Sequence, residues 1–269
     1  MLPLPLDKPL NQPRDTGEVE AGVSSDGGMP AASRKASDLL PVLLDRDQSI
    51  LAFNERVFDW AARADVPLLE RLRYLCIVSS NLDEFFEVRV APHVTAAKTG
   101  DTKGIYSPAS LESLSAAVHQ LVMRQYALYN DVLSPSFAAQ GIRIVPHGER
   151  SAAQRRWVQE YFQKEVRPLL IPVGLDPAHP FPQVANKSLN FIVRLRGPDA
   201  FGRENEVAIV KVPRSLPRLV RLPDKVTPTG MCFVSLSSIV RAHLDDLFPG
   251  REVTEFSQFR VTRHSDMAL

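Results

Sequence analysis

The side chain best suited to do more than pack is the amide of Asn81, within DVPLLERLRYLCIVSSNLDEFFEVRVAPHV, residues 65–94. An amide offers a donor and an acceptor together. Asn is also a weak helix former, because its side chain competes for nearby backbone groups. Its place amid helical apolar spacing therefore points to a hydrogen-bonding partner outside its own turn. Two partners fit: a ligand, or a neighbouring helix whose register the amide fixes. Asp83, Glu84 and Glu87 with Arg89 read most simply as a solvated face with local ion pairs.

A second polar set lies in IPVGLDPAHPFPQVANKSLNF, residues 171–191. Pro172, Pro177, Pro180 and Pro182 stiffen this connection. It is either a rigid lead into a strand at Leu189 or a fixed wall presenting Asp176, His179, Asn186 and Lys187 to a ligand or a partner domain.

Other chemistries leave no trace. The chain has no GxxxxGK[ST] or GxGxxG phosphate loop, no GxSxG elbow and no HExxH helix. The histidines, His93, His119, His147, His179, His243 and His264, are scattered, with no second ligand at metal spacing. Cys76 and Cys232 stand alone, so neither a disulfide framework nor a zinc site is expected, and both read as buried thiols.

The elements that must position Asn81 follow from periodicity. Leu68, Leu72, Leu75, Leu82, Phe86, Val90 and Val94 recur at helical steps, predicting one helix over 65–94 with Asp65 as its cap, Pro67 in its first turn and Pro92 kinking or loosening its end. On the adjoining face lie Tyr74, Val78, Asn81, Phe85 and Val88. A preceding helix starts near Asp47 or Ser49, with Leu51, Val57, Trp60 and Ala61 inward and Phe53 and Asn54 near its start. A further helix runs from about Pro108 to Ala139, where Gly141 closes it. Three helices with short connections predict a helical amino-terminal domain over 39–140. Residues 1–38, rich in Pro, Gly, Ser and Asp without periodicity, predict a disordered tail.

After Gly141 the pattern turns mixed. GIRIVP reads as a strand and Ala152 to Val166 as a helix with Trp157, Tyr161, Phe162 and Val166 inward. KSLNFIVRLRG alternates, with Phe191, Val193 and Leu195 on one side and Arg194 and Arg196 on the other. ENEVAIVKVP, LPRLVRLP, MCFVSL and EFSQFRVTR add strands, and a helix is expected from Ser237 to Phe248. These predict an α+β domain over 141–269 with a mostly antiparallel sheet.

At 269 residues, 44% hydrophobic and 23% charged, the chain suits a soluble globular protein, with no run of roughly 20 apolar residues that would span a membrane. MLPLPLDKPLNQ is too interrupted for a secretory signal core, so a cytoplasmic location is expected. Residues 140–225 carry 15 basic and 8 acidic groups, a bias that suits either a polyanion or an ordinary solvated face. Nothing marks a nucleic-acid-binding protein.

FNERV, PLLERLRYL and SSNLDEFFEVRVA, then DPAHPFP with NKSLNF, and finally FRVTRHSD, resemble in order the amino-terminal part of the bacterial polyphosphate kinases. The resemblance covers about residues 45–266. It implies a helical amino-terminal domain and a head domain that supplies homo-oligomer contacts. In the family two carboxy-terminal domains follow, and they are expected to be absent from this chain. It further implies reversible transfer of the terminal phosphate of ATP to inorganic polyphosphate through a phosphohistidine, assisted by Mg²⁺. Asn81 matches the family's amino-terminal nucleotide contact within S-N-N-L-D-E-F, with Ser80 standing where the family often has Asn. The resemblance places the catalytic histidines, magnesium ligands and triphosphate contacts in the carboxy-terminal domains. None of the six histidines here matches the catalytic motif. The expectation is a chain that contributes Asn81 to an ATP site and is inactive alone, or else a non-catalytic module binding a polyanion or a kinase subunit.

Overall fold

A computed structural model describes residues 45–264 apart from 101–103, 177, 179, 199–201, 203–205 and 228. The expected tail at 1–38 and His179 lie outside the described residues. Helix α1 (Arg46–Ala62) starts at Asp45, whose carboxylate accepts from the Gln48 N–H at 2.7 Å. Its buried residues are Asp47, Leu51, Asn54, Phe58 and Ala61. Trp60, expected inward, is 46% exposed and lies against the Tyr74 ring instead.

Helix α2 (Leu68–Val88) takes Pro67 as its cap, because Asp65 is engaged by the Arg63 guanidinium at 3.0 and 2.5 Å. It buries Arg71, Leu75, Val78, Leu82 and Phe85. This face straddles the two stripes read from the sequence, so Phe86 and Cys76 end up exposed. The kink or loosening expected from Pro92 is a full break after Val88, short of Val94. Helix α3 (Ala91–Thr99) starts afresh with Pro92 in its first turn, where the missing N–H does no harm. Arg71 reaches back to cap α1, donating to the carbonyls of Ala61 at 2.9 Å and Ala62 at 3.3 Å.

Helix α4 (Pro108–Ala127) begins with a reciprocal Ser107–Ser110 capping box and passes through a widened π-helical turn, Leu128–Leu133, into α5 (Ser134–Ala139). Leu51, Phe58, Leu75, Val78, Leu82, Phe85, Leu114, Val118 and Leu121 form the core among these helices.

The second core lies among two sheets and a helix. Strands β1 (Ile142–Ile144), β6 (Met231–Ser235) and β5 (Leu219–Arg221) lie in the order β1-β6-β5, with β1 parallel to β6. Strands β2 (Pro172–Gly174), β4 (Val207–Lys211), β3 (Asn190–Arg196) and β7 (Glu252–Phe259) form an antiparallel sheet in the order β2-β4-β3-β7. The fold is thus helical, then α+β with mostly antiparallel pairing, although two sheets replace the one expected. Helix α6 (Ala152–Tyr161) carries a Ser151–Gln154 capping box and buries Val158, with Phe162 and Val166 of the following π-helical turn also buried. The helix expected to reach Phe248 stops early, as α7 (Leu236–Arg241). Phe191, Val193 and Leu195 point inward as the alternation requires. Arg194 and Arg196 point out and pair with Glu255 and Glu252 across β7, at 3.3 and 3.2 Å.

Candidate functional site

Helices α1 and α2 meet along a face that buries one asparagine completely and a second by half. Asn54 is 2% exposed; its Nδ2 donates to the Val78 carbonyl at 3.1 Å, and its Oδ1 accepts from Asn81 Nδ2 at 3.0 Å. The amide of Asn81 spends one N–H on this bond, while its Oδ1 meets no protein donor among the described residues. Ile77 and Val88, four residues before and seven after, share its face and are 38% and 50% exposed. Asn81 thus sits half-buried between two apolar side chains with an acceptor and one N–H turned outward. That combination suits a flat heterocycle with a polar edge. An apolar groove of about 550 Å³ between α2 and α4, lined by Leu72, Cys76, Phe86 and Val122, opens on the opposite side of α2 and excludes Asn81.

Of the acidic residues of α2, Glu84 is exposed as expected, whereas Asp83 and Glu87 pair at long range. Both terminal nitrogens of Arg260 donate to Asp83, at 3.0 and 2.6 Å. Glu87 receives Lys187 Nζ at 2.6 Å and the amide of Asn186, and the Lys187 hydrogen bond holds its carboxyl below the usual range. Lys187 adopts a left-handed backbone, φ 57°, with its N–H on the Val261 carbonyl, and Asn186 Oδ1 accepts from the Arg263 N–H at 2.9 Å. Asn186 and Lys187 therefore face the helical part of the same chain. Asp176 accepts from the Ala178 N–H at 2.9 Å in its own turn. The polar wall read from residues 176–187 is, for its Asn-Lys half, a seam between the two cores.

Sequence reasoning missed a third cluster. Arg89, read as pairing locally, instead donates from Nε to Asp47 Oδ1 at 2.7 Å. His93 Nε2 lies 3.0 Å from Asp47 Oδ2, and His93 Nδ1 lies 2.7 Å from the Ser110 hydroxyl. Asp47 and His93 are 4% and 2% exposed. Burial pushes the Asp47 carboxyl up, but the hydrogen bonds from His93 and Arg89 outweigh it and hold the group below its ordinary value. The 46-residue separation of this pair leaves no local signature. The role of Asn54 was missed too, although a polar residue at helical spacing among Leu51, Phe58 and Ala61 is a visible signal.

Residues 43–145 match the family described as the polyphosphate kinase N-terminal domain, and residues 153–269 match the polyphosphate kinase middle domain. The chain belongs to the polyphosphate kinase family. It is 48% identical over 231 residues to the polyphosphate kinase of Neisseria meningitidis serogroup B, covering 84% of this chain and 34% of that one. With the polyphosphate kinase of Pseudomonas syringae pv. tomato it shares 44% identity over 255 residues, 93% of this chain and again 34% of the relative. The crystal structure of polyphosphate kinase from Porphyromonas gingivalis superimposes with a TM-score of 0.73 at 31% identity, over 84% of this chain and 34% of that one. The chain thus spans about a third of the length of these polyphosphate kinases.

Proposed function

We propose that this chain is the amino-terminal part of an enzyme that reversibly transfers the terminal phosphate of ATP to inorganic polyphosphate, and that Asn81 is its contact to adenine. The observation that carries the reading is the half-spent amide of Asn81, set between exposed Ile77 and Val88 inside the motif that matches the family. Adenine presents an amine beside a ring nitrogen, and an asparagine meets both with its oxygen and one N–H. In the enzyme the α+β part supplies contacts between copies, and the location is cytoplasmic.

Phosphoryl transfer itself falls to residues other than those described. Magnesium neutralises phosphate charge in such reactions. The described residues include no group of three His, Cys, Asp or Glu side chains fit to hold it, so no step is assigned to it. Reading the chain as a polyanion-binding module loses Arg194 and Arg196, which are engaged by glutamates.

Two measurements test the proposal. With the 269-residue chain, ATP is expected to bind only weakly, at a Kd of roughly 1 mM, because the proposal assigns the triphosphate contacts to residues other than those described, and to shift the side-chain amide resonances of Asn81. Asn81→Ala is expected to weaken that binding about tenfold, the worth of one or two hydrogen bonds. Unchanged affinity in the variant rejects the adenine contact. Incubation of the chain with ATP and polyphosphate is expected to give no chain lengthening; lengthening overturns the assignment of transfer to other residues.

A further inference from the structure

We infer that Asn54 is a positioning residue that sets which end of the Asn81 amide faces the nucleotide, and through it the choice of adenine over guanine. This rests on the reading of Asn81 as the base contact. An asparagine amide can rotate by half a turn, exchanging its oxygen and nitrogen, and in an unconstrained site both orientations are populated. Only one matches adenine, with the carbonyl toward the amine and an N–H toward the ring nitrogen. The reverse orientation sets donor against donor and acceptor against acceptor.

A chain of hydrogen bonds anchored on backbone removes that freedom. The Val78 carbonyl can only accept, so the group of Asn54 lying 3.1 Å from it must be the nitrogen. That turns Asn54 Oδ1 toward Asn81, and an oxygen at 3.0 Å requires the nitrogen of Asn81 there. The order is thus dictated by a helix carbonyl two bonds back. Val78 and Asn54 are 0% and 2% exposed, so water does not compete for the anchor. What faces outward from Asn81 is its oxygen and its second N–H. Guanine carries an acceptor at the position where adenine carries its amine, so the fixed oxygen meets another oxygen there.

A pair serving only to set helix register would have no reason to leave one amide half used. Here Asn54 engages both ends of its side chain, while Asn81 ends the series with free valence at the surface.

The test compares ATP and GTP affinity in the 269-residue chain and its variants by side-chain amide NMR. The unmodified chain is expected to prefer ATP about tenfold, a difference of about 1.4 kcal/mol. Asn54→Leu, with the same branched skeleton but without the two bonds, is expected to bring the ratio close to one while the amide spectrum stays dispersed. Asn54→Asp in its protonated form keeps a donor and an acceptor and is expected to restore the preference. A folded Asn54→Leu variant with the preference intact overturns the inference. Should that variant not fold, the unmodified chain still decides. ATP is expected to shift one Asn81 Nδ2 proton strongly and to leave its geminal partner, bonded to Asn54, nearly unmoved; equal shifts overturn the inference. Failure of the adenine reading itself is distinct, because it shows as unchanged ATP binding in Asn81→Ala.

Discussion

Replacing Asp47 by Ala is expected to lower stability by about 3–5 kcal/mol, the usual result of removing one member of a buried ion pair. The loss is large because three elements converge on this carboxylate: α1 that bears it, the α2–α3 junction through Arg89 and His93, and α4 through the Ser110 hydroxyl that holds the far side of His93. The substitution leaves Arg89 unpaired and His93 without its acceptor in a site only 2–4% exposed at Asp47 and His93. Urea unfolding at pH 7 measures it, and a change below about 1 kcal/mol, the range of surface pairs, counts against the account. Acid titration gives an independent check. The folded carboxyl is held below its ordinary value by His93 and Arg89 against the opposing effect of burial. Its contribution is therefore complete above about pH 5, where the unfolded group has ionised, and disappears as pH falls through the lower folded value. Asp47→Ala should flatten that part of the acid unfolding profile.

Much of the fold was legible because its signals are local. Caps, proline positions and apolar spacing fix where α1, α4 and α6 lie, and strict alternation at 191–196 fixes the face of β3. What failed were judgements needing the neighbour's position. On α2, Leu75 and Leu82 belong to one stripe and Val78 and Phe85 to the next, and only packing against α1 and α4 selects the face between them. Phe86 and Cys76 drop out on that account. The disturbance at Pro92 was legible, but its full extent, a break after Val88, reflects Pro92 acting together with the demand that Arg89 and His93 turn toward Asp47.

The candidate site was half legible. Asn81 stands out by type and position alone, and two readings of it were open: a grip on the neighbouring helix or a contact to a ligand. The geometry shows that one end of its amide does the first, at Asn54, and the proposed adenine contact rests on the other end. Asp83 and Glu87 could not be read correctly, because their partners Arg260 and Lys187 lie about a hundred or more residues away and local pairing with Arg89 was the simpler choice.

Gly230→Ala tests the joint where the helices hand over to the sheets. Gly141 ends the helical run with φ +77° and starts β1, and its carbonyl accepts the Met231 N–H at 2.7 Å, the first rung of the parallel β1–β6 pair. Gly230 faces it with φ +75°, and a Cβ there would lie 2.3 Å from the Gly141 oxygen and 3.1 Å from its carbonyl carbon. Both obstacles are backbone, so no side chain can swing away. Left-handed strain and the forced separation of the strands together are expected to cost about 3–5 kcal/mol, or roughly 10 °C in Tm. Gly141→Ala is expected to cost less, since its Cβ would meet only the Gly230 Cα at 3.6 Å and the strain of φ remains. Gly148→Ala, with nothing within 4 Å and no positive φ, should change stability by at most about 0.5 kcal/mol. The order 230, 141, 148 follows from close approach added to strain, strain alone, and neither. A chemical-denaturation series in which Gly141→Ala proves the most damaging would show that backbone conformation governs this junction, and that the contact between the two glycines does not. The Val145 N–H, bonded to the Phe233 carbonyl at 2.8 Å at the other end of the same strand pair, should exchange faster with solvent in Gly230→Ala if the strands are forced apart as the geometry requires.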